Sequence, residues 1–520
     1  MTSYLNLMTL PLGWSFCFEN NMQDLNHDLY FVLERRTRIP AIALTKGGIM
    51  LQLCGINWGS GCCAMNQKID RLLPILGACS AGMMLLLLFS HTYNDILVTA
   101  KHGMQFWKIL FDGDILHFFE LNYVASGNEY YSAVQGCAYN ILLYIVFAIW
   151  NIPMALLSAF TNVDVMNNIF CIAYIKLMTV AAMAISVVIL GRILRLLDVD
   201  RKNHGLLAFL YLTSSLMIAV VFVVSQYDLV SVVFQLLGFQ AFLEKKDKKF
   251  VFFFGIAFCL KYFSVILFLP LLLLRYKRLH SWIMALVGMV LPLAVTSVPF
   301  AKSYDRFSAD LTGDLLSKLF RFDGSGYSLF VIFYCFLLVW CFLQKEDAAF
   351  SRKAVWASFV AYGLFFGLLD VYLYWAIMFA PFMVLMIATM PRYFYLNLLL
   401  ETLGYGCVVL GHALTYSNFF FGDTMKSMLM SRILSEDAMN YVGSLIYYLV
   451  CQLGMKTWIF PACNSVWIAA IFAMAYLGCP RGSYDGKDSL KLDRECREML
   501  VFRLLVTCGI CMLPILSLVI

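Results

Sequence analysis

Charge is what this chain has little of. Only 13% of its 520 residues are Asp, Glu, Lys or Arg, against 62% hydrophobic and 16% aromatic. So few charges cannot coat a water-facing surface, and no soluble domain of about 100 residues or more can be cut from the chain. The excess of basic residues, a formal net charge of +6, falls in short loops and forms no nucleic-acid face, so nucleic acid is excluded as a partner. The paired CxxC…CxxC spacing of a structural metal site is absent. Most of the seventeen cysteines (Cys137, Cys171, Cys259, Cys335, Cys341 and Cys407 among them) lie inside apolar runs, where a thiol is a small hydrophobe, and no disulfide framework is expected. There is no Gly-rich phosphate loop, which argues against direct use of a cytoplasmic nucleotide. No Asn-x-Ser/Thr sequon occurs, which favours a bacterial plasma membrane over an endoplasmic reticulum.

What is present is a succession of apolar runs, each near the roughly twenty residues that a helical span requires. The expected fold is all-α, a polytopic transmembrane protein of about eleven to thirteen spans. Residues 1–64 stand apart, with no basic stretch before an apolar segment and no clear periodicity. They read as a doubtful upstream extension or cytoplasmic tail, since Met65-Asn-Gln-Lys leads directly into the first apolar run, Leu72 to Phe89. The expected division is 1–64, a catalytic membrane module over 65–390, and additional C-terminal transmembrane helices over 391–520.

Basic loops set the expected topology. Arg192, Arg195, Arg201 and Lys202, then the lysines of 244–249, then Arg275, Lys277 and Arg278 all belong inside. The apolar stretch 206–243 is then a hairpin of two spans whose apex, Gln226-Tyr227-Asp228, faces outward. A carboxylate at such a place is costly unless it serves a site, whereas neutral turn residues would suffice for a bare apex. Between the next two basic loops lie 25 residues, 250–274, with Lys261 at their centre. Two half-helices meeting near Lys261-Tyr262 satisfy the loop rule, and broken helices survive only where protein or a watery cavity covers their free backbone groups. The alternative is a straight span with a buried or snorkelling lysine. The parity of 136–190 stays open, between two spans and one span plus a re-entrant piece around 151–168.

The segment His91 to Gln135 is expected outside. It holds Asp95, Asp112, Asp114, Glu120 and Glu129, three of the seven histidines, and enough aromatic and aliphatic residues for helices lying in the interface. His91, Asp95 and His102 are poorly spaced for a metal triad. No tightly bound cofactor is expected, with a divalent cation on Asp95 and Asp228 as the alternative.

Together these features resemble the GT-C superfamily of membrane glycosyltransferases. The likeness rests on Tyr93-Asn94-Asp95 after the first span, the long loop with interfacial helices, Gln226-Tyr227-Asp228, Lys261 in a broken span, and the aromatic segment Tyr372-Leu373-Tyr374-Trp375 before Pro381. It covers roughly 72–391. It implies a polyprenyl-phosphate-linked sugar donor, a glycan, lipid or protein acceptor, and action at the outer face of a multi-pass membrane protein in contact with membrane lipids. It further implies a mannosyltransferase-like hexosyl transfer in which the first-loop acid is the general base. Many members carry an acidic doublet there, whereas this chain has Asn94-Asp95, so Asp112 and Asp114 remain alternatives. The chemistry needs a base for the acceptor hydroxyl and cations for the departing phosphate. Asp95 and Asp228 are the catalytic candidates, and Lys261 and Arg321, with Lys302 and Arg306 nearby, are the phosphate candidates. Gln226, Tyr227, Tyr374 and Trp375 are the substrate-binding candidates, although span-end tyrosines and tryptophans are ordinarily membrane-belt residues. A transporter or flippase of lipid-linked saccharides and a non-catalytic envelope-assembly subunit are the competing classes.

Overall fold

The computed structural model describes residues 62–125, 137, 139–301, 327–369, 371–415, 425–427, 448–480, 490 and 492–516, with short strands at 30–31, 42–45 and 48–51. Backbone contacts divide the chain into 1–68 and 69–520. In the first unit β1 (Tyr30–Phe31), β2 (Ile42–Thr45) and β3 (Gly48–Leu51) form an antiparallel sheet in the order β1-β2-β3.

The second unit is helical. Among its described residues, five helices are long and apolar enough to cross a membrane, and two bent pairs raise the number to seven. The protein is thus a helical membrane protein. Other apolar runs among the described residues are broken into pieces such as Leu229–Leu243, Ser264–Arg275 and Leu329–Leu343, each too short to span alone, so the expected eleven to thirteen spans are not all counted there. The long first helix α1 (Cys62–Ser90) leads through the strand β4 (His91–Tyr93) into α2 (Asn94–Phe111) and α3 (Phe118–Ala125). The open stretch 136–190 holds α4 (Ile141–Trp150) and α5 (Ile152–Phe160), bent by 64°, then α6 (Ile169–Leu196). Asn140 and Asn168 cap α4 and α6 by accepting from backbone N–H groups two or three residues on.

The run 206–243 begins with α7 (His204–Leu212) and, after a 52° bend, continues through α8 (Ser215–Ile218) and a π-helical turn, Ala219–Val224. It then turns at 225–228 into α9 (Leu229–Leu243). The next run is broken where expected: α10 (Asp247–Leu260) stops at Lys261, whose backbone is extended at φ −156°, and α11 (Ser264–Arg275) follows. The longer of the remaining described helices are α12 (Leu279–Ser297), α13 (Leu329–Leu343), α14 (Phe350–Leu368), α15 (Ala380–Ala388), α16 (Phe394–Thr415), α17 (Lys456–Leu477) and α18 (Arg494–Cys511).

The two ends of the unit differ in chemistry. At one, the basic loops meet acidic partners: Lys245 pairs with Glu346, Arg275 lies 3.0 Å from Asp247, and Lys353 lies 2.6 Å from Asp347. Toward the other, β4 pairs antiparallel with β5 (Met425–Ser427), and Phe300 packs edge-on against Phe119 at 5.4 Å. The segment that follows α1 thus has Met425–Ser427 and Phe300 as neighbours. Close approach of α2 to α4 requires Gly103, where a Cβ would stand 2.6 Å from that of Phe147.

Candidate functional site

The site starts from two turns. After the π-helical turn the chain reverses at Ser225, a non-glycine residue at φ +61°, in the left-handed region. That conformation costs about 1–2 kcal/mol, and such strain persists where the surroundings impose it. The reversal delivers Gln226, Tyr227 and Asp228 into protein, since all three are buried. The second turn is the short β4, which starts α2 so that Asp95 lies in its first turn.

These turns meet. The Tyr227 hydroxyl donates to Asp95 Oδ2 at 3.1 Å and accepts from Thr99 Oγ1 at 3.3 Å. Lys261 Nζ sits 3.0 Å from Asp228 Oδ2, with both side chains under a tenth exposed. The angles are poor for a hydrogen bond, so the attraction is chiefly Coulombic. The extended backbone at Lys261 turns the ammonium off the axis of α10. Three rings face it: Trp375 at 4.8 Å, Phe263 at 5.4 Å and Tyr139 at 5.5 Å from ring centroid to Nζ. Such cation–π contacts replace part of the water an ammonium loses on burial. Tyr139 also packs edge-on against Tyr227 at 5.6 Å, and Phe147 does so at 5.1 Å.

Asp95 carries a raised carboxyl. Burial pushes its carboxyl up to about 6, while the Lys261 ammonium and the Tyr227 hydrogen bond pull the other way. A carboxylate of that basicity can take up a proton near neutral pH. The Gln226 amide lies beside Asp95, and its Nε2 has no hydrogen-bond partner of full geometry among the described residues. A buried donor in that condition costs free energy until something accepts from it.

The structure brings together Asp95, Asp228, Lys261, Gln226, Tyr227, Tyr374 and Trp375. The last two are not exposed belt residues: both are buried, Tyr374 lies 6.3 Å from Tyr93, and Trp375 packs on Phe263 at 4.6 Å. Asp112, Asp114 and Glu120 are exposed near the far end of α2 or beyond it. Arg321, Lys302, Arg306, Asp370 and Glu129 lie outside the described residues. His91 is bonded to Ser90 at 2.8 Å and His102 stacks edge-on with Tyr144 at 5.8 Å. Among the described residues no group of three or more His, Cys, Asp or Glu is placed to hold a metal ion. Sequence reasoning passed over Tyr139 and Thr99; neither has a local signal, because Tyr139 acts from before α4 and Thr99 only through the fold.

An apolar groove of about 940 Å³ lies between α4, α10 and α12. One end is at Leu142, Leu260 and Thr296, and Leu260 is the residue before Lys261. Asn140, next to Tyr139, donates to Thr296 there at 2.9 Å. The other end reaches Lys248, Tyr276 and His280. From Lys248 to Leu260 the helical rise is about 18 Å. Exposed Phe252, Leu291 and Val295 line the groove, which is open along its side.

Compared with known proteins, the chain matches no family model, no curated protein and no solved structure.

Proposed function

We propose that this protein is a membrane glycosyltransferase of the GT-C kind, moving a sugar from a polyprenyl-phosphate-linked donor to a glycan, lipid or protein acceptor at the outer face of a plasma membrane. The observation that carries the reading is a carboxyl raised to about 6 in a cluster with a buried ammonium, whose neighbour in the chain, Leu260, lines an apolar groove. Each part answers a need of the reaction. Asp95 takes the proton of the attacking acceptor hydroxyl, with Tyr227 and Gln226 holding its carboxylate in place. Lys261, freed from Asp228 by a stronger anion, receives the charge that develops on the departing phosphate. The groove takes the polyprenyl chain, whose burial there is favourable in proportion to its apolar area. Tyr374 and Trp375 supply ring faces for the sugar. Asp228 holds the ammonium in place between turnovers. A divalent cation between Asp95 and Asp228 stays a variant of this scheme.

The test is reconstitution with a polyprenyl-phosphate hexose and analysis of glycan product. Asp95→Asn, at normal expression, is expected to lower transfer by about 10²- to 10⁴-fold, the usual worth of a general base. Movement of a lipid-linked saccharide across the bilayer without product, unaffected by Asp95→Asn, would instead identify a transporter. A wild-type protein that co-purifies with no prenyl-phosphate lipid and neither transfers nor moves one would favour the assembly subunit.

A further inference from the structure

One buried cation takes no part in the scheme above. Lys176 lies two turns into α6, in the apolar run Ile175-Lys176-Leu177, and is fully buried. It has no carboxylate partner among the described residues. Its ammonium donates instead to four backbone carbonyls: Leu87 at 2.9 Å, Leu88 at 3.0 Å, Phe222 at 3.0 Å, and His91. An ammonium has three protons, so these acceptors share them.

The identity of the four carbonyls is what matters. Leu87 and Leu88 belong to the last turn of α1, where carbonyls have no partner within the helix. His91 starts β4, four residues before Asp95. Phe222 is in the π-helical turn, six residues before Asp228. One side chain thus ties the segment that ends in Asp95 to the segment that ends in Asp228. Both segments are irregular: a three-residue strand on one side, and a π-helical turn followed by the left-handed Ser225 on the other. Each has only a short ladder of its own, three residues of β4 against β5 on one side and a six-residue π-helical turn on the other. Desolvating an ammonium is expensive, and neutral residues could have packed an ordinary helix crossing here.

We propose that Lys176 is a positioning residue, a clamp whose four carbonyl contacts set the spacing of the Asp95 and Asp228 turns. Its kinetic consequence rests on the transfer reading, but the clamp itself does not. The experiment therefore has a backbone arm and a catalytic arm, on the purified full chain in lipid nanodiscs. Hydrogen–deuterium exchange of parent, Lys176→Met and Lys176→Arg is followed at residues 89–95 and 222–228, with α16 and α17 as internal references. In the Met variant both segments are expected to exchange at least about tenfold faster together, with the references unchanged, because the local opening they share becomes easier. In the Arg variant, which keeps the charge and the donors, protection is expected to return at both. With a polyprenyl-phosphate hexose, Lys176→Met is expected to lose about 100-fold in kcat with the KM for donor unchanged, the effect of misplacing groups by about 1 Å.

Unchanged protection at both segments, or loss at only one, would overturn the clamp whatever the activity. Loss spread along α6 that Arg does not restore would also overturn it and assign Lys176 to general packing. Coupled loss of protection in a protein that shows no transfer even as the parent would keep the clamp and reject the transferase. Should Lys176→Met fail to fold, Lys176→Gln, which retains an amide donor, is read by the same criteria.

Discussion

Two buried ion pairs in this protein, Arg503–Glu401 and Lys261–Asp228, are constructed in opposite ways. Arg503 of α18 meets Glu401 of α16 in a bidentate pair, Nε to Oε2 at 2.7 Å and Nη2 to Oε1 at 2.9 Å. Its other donors reach Thr213 Oγ1 at 2.7 Å, Thr213 O at 3.2 Å and Leu210 O at 2.6 Å. These carbonyls are freed where α7 ends at the 52° bend, so the guanidinium also repairs a broken helix. Every part of that fork is used. Lys261 makes one ion-pair contact and otherwise faces rings. A saturated buried pair has nothing left for a ligand, whereas an unsaturated one beside an open groove retains capacity to bind an anion. That difference separates a structural ion pair from a site.

The largest expected effects come from cutting each pair. Removing one partner of a buried pair strands the other and costs about 3–5 kcal/mol, while replacing both by apolar residues is often close to neutral. Arg503→Met should therefore unfold the protein at markedly lower temperature. Arg503→Met with Glu401→Leu should recover much of the loss, less the share owed to the carbonyls of Leu210 and Thr213, and transfer per folded molecule should stay near the parental rate. At the other pair, Lys261→Met leaves the Asp228 carboxylate stranded, so it too should destabilise. Lys261→Met with Asp228→Leu should restore stability and yet show no transfer. Thermal unfolding in detergent beside product formation separates the two. Equal activity in both double variants would erase the distinction between the pairs.

The same comparison explains what the sequence made legible. Gln226-Tyr227-Asp228 and Lys261 stood out because each is a polar interruption at the middle or turn of an apolar run bounded by basic loops, and both breaks are present. Their proximity to Asp95 follows from chain reversals that the loop rule could order. Glu401 and Arg503 lie 102 positions apart, each a single charge near the edge of an apolar run, and nothing local says that they meet. The runs containing them read as ordinary spans. Lys176 was equally visible as a lysine inside a span, but its partners are backbone carbonyls, which carry no residue identity and leave no trace in a sequence. The bend at Thr213 was missed for a related reason, since no glycine or proline announces it, whereas the bend at Asn151 falls at the start of the stretch, 151–168, that the sequence leaves open as a re-entrant piece. Membrane sidedness rests on the basic loops alone.

A smaller effect, of sign and not only size, concerns Asp95. Its carboxyl is pushed up to about 6 by burial, above the roughly 3.9 of an unfolded aspartate. In the proposed role of general base it must be ionised, so kcat/KM should rise with pH through about 6 and then level off. Stability should run the other way. Between about 4 and about 6 the folded protein holds this proton more firmly than the unfolded chain, so the contribution is present at the acid end and is lost as pH rises through the folded value. Asp95→Asn should flatten that part of the stability profile. Melting temperatures of parent and variant across this window decide the point, and parallel curves would remove Asp95 as the raised carboxyl.

The smallest expected effect isolates the hydrogen bond between the two turns. Tyr227→Phe keeps the ring between Tyr139 and Phe147 and deletes only the hydroxyl that donates to Asp95 at 3.1 Å. The lost donor favoured the ionised carboxylate, so the midpoint of the rate profile should move to higher pH. A hydrogen bond to a charged group is worth about 1.5–3 kcal/mol when fully made, or roughly one to two pH units. The observed shift should fall at or below the low end, because Asp95 is partly open and water can replace part of the bond. Well above the new midpoint the variant should approach the parental rate, since the base is then ionised in both. Thr99→Val, which removes the hydroxyl donating to Tyr227, acts one bond further away and should shift the midpoint in the same direction by less. A midpoint unchanged in both variants would mean that Tyr227 only packs, and that the Lys261 side alone tunes the carboxyl.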